Sequence, residues 1–173
     1  MLMNWENAKI FFDLDGVLAD FDRGAIELCH TMPLDMNGKR DPEAKTALWL
    51  KVKEVSHFYD KLELIPGSKE MFDQIYSKYP DTCAILSGIP KANRGIVTAG
   101  DDKISWVHRL LSKDIKIHIV YSEEKRKYCT GPECILIDDS KRNINDWISE
   151  GGTGIVHVSP EDTIRQLKEL GVL

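Results

Sequence analysis

Residues 9–21, KIFFDLDGVLADF, join two features that conflict physically. The first four residues are typical of a strand that is buried on both faces of a sheet. Two aspartates, Asp13 and Asp15, follow that strand directly. Buried carboxylates are costly unless a cation or hydrogen-bond donors compensate their charge. The stretch therefore raises the question of what neutralises the two carboxylates at the end of this strand.

The chain is long enough for one domain, and its net charge is negative. It has 173 residues, of which 28 are acidic and 23 are basic, and its net charge is −5. Binding to a phosphate backbone depends on an excess of Lys and Arg, so we expect no nucleic-acid polymer as a partner. No run reaches the roughly 18 apolar residues of a membrane span, and no signal peptide is recognisable. We therefore expect a cytoplasmic protein without a membrane partner.

Short apolar runs alternate with segments of helical spacing along most of the chain. The runs are typical of buried strands. Strands that alternate with helices predict a parallel sheet with helices on both faces and right-handed crossovers. We therefore predict an α/β fold with a doubly wound parallel sheet. The five runs are KIFF (9–12), TCAILS (82–87), IKIHIVY (115–121), ECILI (133–137) and GIVHV (154–158).

Helix signals support the same fold. Apolar spacing predicts a helix over residues 68–79, and a second helix from Ser140 to Gly151. A third is predicted over 160–170, with Ser159 as its N-cap.

One region breaks the alternation. It contains two helix-like stretches, 21–32 and 42–59, joined by the turn-rich PLDMNGKRDP, and no convincing strand. We predict a small helical cap formed by residues 19–64. The core is then formed by residues 1–18 and 65–173. Apolar residues of the cap helices could pair between two copies, so a homodimer is an open alternative.

Polar residues follow three of the predicted strands. They are Asp13 and Asp15 after the first, Ser87 and Gly88 after the second, and Asp138 and Asp139 after the fourth. Ligands of open α/β sheets bind beyond the carboxyl ends of the strands. Four carboxylates at this edge would repel one another without a cation, and oxygen ligands suit Mg²⁺. The sequence therefore predicts a magnesium site beside a nucleophile.

The acidic pairs have simpler interpretations. Asp13 could begin a calcium loop, but a strand precedes it and no Glu stands at the twelfth position. Asp138 and Asp139 could cap the helix that begins near Lys141. The occurrence of both pairs at strand ends favours the metal site.

The chain resembles a known superfamily in four motifs. DLDGVLAD (13–20), ILSG (85–88), Lys103 and LIDDS (136–140) are similar, in this order, to the four motifs of the haloacid dehalogenase-like hydrolases. Within that superfamily, four stretches resemble the 5'(3')-deoxyribonucleotidases: DLDGVLADF, FYDKLELIPGSKEMFDQI (58–75), KISWV (103–107) and ILIDD (135–139). The resemblance implies the same α/β core and is weakest in the predicted cap.

The resemblance implies roles for the four aspartates. Asp13 would be the nucleophile that forms an aspartyl-phosphate. Asp15 would protonate the leaving alkoxide and then activate water. Mg²⁺ would be held by Asp13, the backbone carbonyl of Asp15, Asp138 and, through a water molecule, Asp139.

The resemblance also implies the residues that bind substrate. Ser87, Gly88, Lys103 and Lys91 would bind the phosphate, and Phe21 would stack on a nucleobase. Each has a simpler interpretation: a turn serine, a solvated lysine at the start of a helix, a surface loop lysine, or an aromatic side chain of the core.

Other positions limit the comparison. Gly88 stands where the family has a second hydroxyl residue, and Ser140 stands where it often has a basic one. Trp49, Phe58 and Tyr59 are typical of packing in a helical cap, with the lining of a base pocket as the alternative. The charged run 123–127, EEKRK, is interpreted mainly as a solvated cluster, with the lining of the phosphate entrance by part of it as the alternative.

The motifs together predict a Mg²⁺-dependent phosphomonoesterase. The substrate class that they favour is deoxyribonucleoside monophosphates, which would make the protein a 5'(3')-nucleotidase. Two alternatives stay open: a phosphatase for another small metabolite such as a sugar phosphate, and a catalytically silent module that binds nucleotide or phosphate.

Overall fold

The computed structural model describes residues 3–31 and 41–173. In this part of the chain, five strands form one parallel sheet with the order β3-β2-β1-β4-β5. The predicted strands and the doubly wound sheet are confirmed, with ends that shift by one or two residues. The strands are β1 (Lys9–Phe12), β2 (Cys83–Gly88), β3 (Lys116–Val120), β4 (Cys134–Asp138) and β5 (Thr153–Val156).

Strand β1 is the centre of the sheet. Its residue Phe12 pairs with Ile85 of β2 on one side and with Ile137 of β4 on the other. Ile10 and Phe12 belong to the apolar cluster of one sheet face, whereas Phe11 belongs to that of the opposite face. Both faces are covered, which explains why the strand is apolar at every position that follows Lys9.

Six α-helices surround the sheet in the described ranges. The helices predicted from apolar spacing are confirmed, and the Ser159 side chain accepts a hydrogen bond from the Asp162 amide at the start of the last one. The helices are α1 (Phe21–Cys29), α2 (Pro42–Glu54), α3 (Ser68–Lys78), α4 (Ala99–Leu110), α5 (Lys141–Ser149) and α6 (Pro160–Glu169).

The helices cover the two sheet faces unequally. Helices α3, α4 and α6 bury Phe72, Trp106 and Leu167 in the larger cluster. Helix α5 buries Trp147 in the smaller one, where the ring lies edge-on to Phe11 with 5.3 Å between centroids. A 3₁₀ segment, Ser122–Tyr128, follows β3 and completes this second layer.

The segment between β1 and α3 contains helices α1 and α2, as predicted, followed by a 3₁₀ turn, Tyr59–Lys61. Its buried residues, including Leu48, Val52 and Phe58, belong to the same apolar cluster as Phe12. The division into a core and a cap at residues 19–64 stays a prediction. The predicted turn-rich linker lies mostly outside the described residues.

The end of this region is attached to helix α4. The Trp106 indole donates a hydrogen bond of 2.8 Å to the Leu62 carbonyl, and the Arg109 guanidinium lies 3.1 Å from the Asp60 carboxylate. These contacts fix segment 57–62 against the helix that follows β2. No helix in the described ranges has the length and apolar character needed to cross a membrane.

Candidate active site

The carboxyl ends of β1 and β4 bring two acidic loops together. The Asp13 amide continues the sheet by donating a 2.9 Å hydrogen bond to the Ile137 carbonyl. The Asp139 carboxylate lies directly against Gly16, where any Cβ would collide with it. Gly16 also has a φ of +81°, a conformation that side chains disfavour. Glycine at this position therefore allows the two loops to approach each other.

Three carboxylates form a cluster at this point. Asp13, Asp138 and Asp139 each offer an oxygen, and these atoms lie within 4.8 Å of one another. Asp138 is fully buried and Asp13 is nearly so. A compact group of carboxylate oxygens has the chemistry that Mg²⁺ prefers. The residues present therefore fit such an ion, whereas the predicted contribution of Asp15 through its backbone carbonyl stays a prediction.

Asp138 is held in place by hydrogen bonds. Its Oδ1 accepts from the Ser140 amide at 2.8 Å, and its Oδ2 accepts from the Asn143 side chain at 3.0 Å. Helix α5 is capped by Ser140, whose hydroxyl accepts from the Asn143 amide. The N-cap of α5 is therefore Ser140 and not Asp138 or Asp139, although Asp138 accepts a hydrogen bond from the amide of that cap residue.

Lys125 is a buried residue of this cluster that the sequence analysis did not single out. Its Nζ lies 2.9 Å from Asp13 Oδ1 and 2.8 Å from Asp138 Oδ2, and its side chain is only 3% exposed. The interpretation of residues 123–127 as a solvated cluster is wrong at this position. The available signal was topological, because this segment follows β3, whose carboxyl end lies at the same edge of the sheet.

The charges of this cluster shift one another's pKa values. Burial would lower the pKa of Lys125, but the adjacent carboxylates of Asp13 and Asp138 outweigh it and raise that pKa. Burial, together with repulsion from Asp138, raises the pKa of Asp13 well above its usual range. Asp139 is exposed as a residue, but desolvation of its carboxyl against the neighbouring loop, helped by repulsion from Asp138 and Asp15, raises its pKa to about 7. Without a further cation, the cluster therefore tends to keep protons.

Lys103 connects a second group of predicted residues. It is the fifth residue of α4 and is almost completely buried, so its interpretation as a solvated lysine is wrong. Its Nζ donates to Asp15 Oδ2 at 2.8 Å, to Ser87 Oγ at 2.9 Å and to the Gly88 carbonyl at 2.8 Å. All three N–H groups of the ammonium are thereby occupied by protein acceptors.

Gly88 packs closely against the side chain of Ser122. A Cβ at this position would lie 2.6 Å from the hydroxyl of Ser122, closer than non-bonded atoms approach. Ser122 begins the 3₁₀ segment that carries Lys125. A hydroxyl group is therefore present beside the end of β2 although residue 88 carries none.

The remaining predicted residues are not part of the carboxylate cluster. Lys91 is exposed and precedes a 3₁₀ turn, Ala92–Arg94. Phe21 begins α1 and is partly buried, with its ring centroid 5.9 Å from that of Trp49 and 5.5 Å from that of Phe58. Phe58 and Tyr59 are buried in the apolar cluster, as the packing interpretation predicts, whereas Trp49 is only partly buried.

Solved structures define the class of the fold. A HAD-superfamily hydrolase from Ehrlichia chaffeensis superposes with a TM-score of 0.53 and 16% identity, covering 98% of each chain. A hydrolase from Pseudomonas syringae gives a TM-score of 0.50 and 16% identity, covering 94% of this chain and 99% of that one. At such identities the likeness shows the fold alone, which is the α/β fold of HAD-superfamily hydrolases. Comparison with curated protein sequences finds no match.

A family model narrows this class. The model described as "5' nucleotidase, deoxy (Pyrimidine), cytosolic type C protein" matches residues 7–165, which is most of the chain. The chain therefore belongs to this 5'-nucleotidase family and is a phosphoric monoester hydrolase. The resemblance inferred from the motifs is confirmed.

The raised carboxyl pKa values predict how stability depends on pH. Because Asp13 and Asp139 bind protons more tightly in the folded than in the unfolded chain, raising the pH from about 5 to about 8 should destabilise the metal-free protein. The loss of stability should continue as the pH passes about 7, because Asp139 ionises there in the folded protein. We expect the Tm in EDTA to fall over this pH window. Addition of Mg²⁺ at about pH 8 should restore most of the lost Tm.

The variant Asp139→Asn isolates one of these groups, with the exposed Asp81→Asn as the matched control. The Tm of Asp139→Asn should fall less steeply with pH than that of the wild type, while Asp81→Asn should follow the wild type. Identical slopes for all three proteins in EDTA would contradict the assignment.

Proposed function

We propose that this protein is a Mg²⁺-dependent 5'(3')-nucleotidase that acts in the cytoplasm on deoxyribonucleoside monophosphates. The observation that carries the proposal is the arrangement of four aspartates and two buried lysines at one edge of the sheet. The cluster formed by Asp13, Asp138 and Asp139 contacts Lys125, and the adjacent Asp15 contacts Lys103. Such an arrangement supports phosphoryl transfer to a carboxylate.

Asp13 is the proposed nucleophile. One of its oxygens attacks phosphorus in line with the leaving oxygen, so that the ester P–O bond breaks while the aspartyl-phosphate bond forms. The reaction requires the ionised carboxylate, yet burial raises the pKa of Asp13. The ammonium of Lys125, 2.9 Å away, favours ionisation and therefore prepares the nucleophile.

Asp15 is the proposed general acid and base. Its side chain is 28% exposed, whereas that of Asp13 is 9% exposed, so Asp15 has room to meet a leaving group and a water molecule. It would give a proton to the leaving alkoxide and then remove one from the water that hydrolyses the intermediate. The hydrogen bond from Lys103 orients this carboxylate.

Mg²⁺ would be held by Asp13, Asp138 and Asp139, with the backbone carbonyl of Asp15. When bound, it would supply positive charge that shields the anionic nucleophile from the anionic phosphate. Asp138 suits this task, because its hydrogen bonds hold it in one orientation.

The substrate phosphate would be bound by Ser87, Gly88 and Lys125, with Lys91 nearer the entrance. Lys125 uses two of its three N–H groups on Asp13 and Asp138, so one is left for a phosphoryl oxygen. Lys103 uses all three on protein acceptors. We therefore assign Lys103 the positioning of Asp15 and Ser87, and Lys125 the direct phosphate contact.

A nucleotide substrate is supported by family membership and by two aromatic residues. The matched family is described as deoxy and pyrimidine 5'-nucleotidases. Phe21 and Trp49 are both partly buried and lie 5.9 Å apart between ring centroids. Stacking of a base on such a ring contributes about 1–3 kcal/mol. A phosphatase for a non-nucleotide ester is the alternative, since the phosphate-binding group by itself does not select a base.

Hydrolysis of a chromogenic aryl phosphate tests the chemistry. The wild type should require Mg²⁺ and lose activity in EDTA. Asp13→Asn should lower kcat by at least about a thousandfold, because the nucleophile is removed. Asp81→Asn, an exposed acidic position, should retain wild-type activity. Metal-independent activity, or an active Asp13→Asn protein, would exclude the proposed mechanism. A wild type without activity would favour a silent phosphate-binding module.

Lys125 and Lys127 form a matched pair within one 3₁₀ segment, because the first is buried at the aspartates and the second is 71% exposed. Lys125→Met should lower kcat/KM by at least about a hundredfold through the lost charge and phosphate contact. Lys127→Met should stay within about twofold of the wild type. Circular dichroism checks folding, and Lys125→Arg should recover part of the activity. Equal effects of the two Met variants would refute the role of Lys125.

A panel of phosphate esters tests the substrate class. Deoxyribonucleoside monophosphates should be preferred over sugar phosphates in kcat/KM. Phe21→Leu should reduce kcat/KM for nucleotides by about tenfold, the value of one stacked base, and leave 2-deoxyribose 5-phosphate nearly unchanged. A preference of the wild type for a non-nucleotide ester by more than about tenfold would replace the nucleotidase with another phosphatase.

A further inference from the structure

We infer that Tyr59 is a positioning residue whose ring holds the Lys103 ammonium in place and thereby orients Asp15. This inference rests on the proposed function, since it gives Asp15 the role of general acid. It assigns a task in the chemistry to the segment between β1 and α3, in addition to any contact of that segment with substrate.

The contact between Tyr59 and Lys103 is a buried cation–π interaction. Lys103 Nζ lies 4.6 Å from the Tyr59 ring centroid, and each residue is only 2% exposed. The attraction between an ammonium and an aromatic face is strongest where water is excluded. Aliphatic side chains of similar size have no such face, so an aromatic ring at this position has an electrostatic effect on Lys103 that packing alone would not provide.

The ring completes the environment of the ammonium. The three N–H groups of the Lys103 ammonium donate hydrogen bonds to Asp15, Ser87 and the Gly88 carbonyl. Without the ring, the buried ammonium would lose a favourable contact, and its position would be less restrained. Since the Asp15 carboxylate is bonded to that ammonium, displacement of Lys103 would displace the proposed acid.

Tyr59 itself is fixed by the helix that carries Lys103. Its neighbours Asp60 and Leu62 are bonded to Arg109 and Trp106, respectively, as described above. On the preceding side, the His57 ring nitrogen Nδ1 lies 2.7 Å from the buried carboxylate of Asp102. Contacts on both sides of Tyr59 therefore hold its ring at one place relative to Lys103.

The other neighbours of Tyr59 are aromatic. Its ring centroid lies 5.2 Å from that of Phe58 and 6.2 Å from that of Phe21. Burial, together with the charge of Asp15, raises the pKa of the Tyr59 hydroxyl well above its usual range, so the ring stays neutral. Tyr59 thus lies between the proposed base-stacking residue and the lysine that orients the acid.

Leaving-group dependence gives a readout that distinguishes positioning of Asp15 from simple loss of structure. A nitrophenolate leaves without a proton, whereas an alkoxide needs one from the general acid. We would measure kcat/KM, which reports on the step that cleaves the ester, for p-nitrophenyl phosphate and for 2-deoxyribose 5-phosphate. Neither ester carries a nucleobase, so the base-binding residues do not enter the comparison.

Three variants complete the experiment. Tyr59→Leu removes the ring, Tyr59→Phe keeps it without the hydroxyl, and Phe58→Leu is the control, a buried aromatic residue beside Tyr59. Tyr59→Leu should lower kcat/KM for the alkyl ester at least about tenfold more than for the aryl ester. The other two variants should change the ratio of the two values by less than about threefold. If Tyr59→Leu does not fold, Tyr59→Met replaces it.

The inference is overturned if Tyr59→Leu lowers both values equally, if Tyr59→Phe behaves like Tyr59→Leu, or if Phe58→Leu changes the ratio as strongly. These outcomes leave the proposed function intact, because the wild type still hydrolyses both esters. A wild type that hydrolyses neither ester overturns the proposed function and the inference with it.

Discussion

The candidate active site depends on compensation of charge among carboxylates that the sheet topology forces together. Asp13 and Asp138 lie at the ends of neighbouring strands, so their repulsion follows directly from the register of β1 and β4. The ammonium of Lys125 lies within 2.9 Å of both and is buried with them. Removing one partner of a buried ionic group leaves an uncompensated charge. Lys125 is therefore as much a condition for the assembled site as the aspartates are.

The two buried lysines contact different acidic groups of the candidate site. Lys125 contacts Asp13, the proposed nucleophile, and Asp138, a proposed metal ligand, whereas Lys103 contacts Asp15, the proposed general acid. They come from different elements, the segment after β3 and the helix after β2. A parallel sheet places both segments at its carboxyl edge, so both charges reach the site without long connections. Separate partners place the two neighbouring aspartates in different surroundings, which the proposed roles of nucleophile and acid require.

The sequence predicted features that depend on local pattern and missed those that depend on the turn geometry of single residues. Apolar runs placed all five strands, and strand ends placed Asp13 and Asp138, because periodicity and topology are set by many residues together. Nothing in EEKRK distinguishes Lys125 from Lys127, since the 3₁₀ turn decides which one faces inward. The contact between Tyr59 and Lys103 joins residues far apart in the chain, and no local pattern encodes it.

The proposed roles of Phe21 and Tyr59 make the segment between β1 and α3 part of the proposed catalytic site. Its first helix carries Phe21, and its 3₁₀ turn carries Tyr59, whose ring contacts Lys103. Packing between rigid neighbours transmits displacement, since a dense interior has little free volume to absorb it. A base that stacks on Phe21 would therefore restrain Tyr59, and through Lys103 it would restrain the Asp15 carboxylate. Binding energy from the base could in this way be used to orient the acid, which is how remote parts of a substrate accelerate a chemical step.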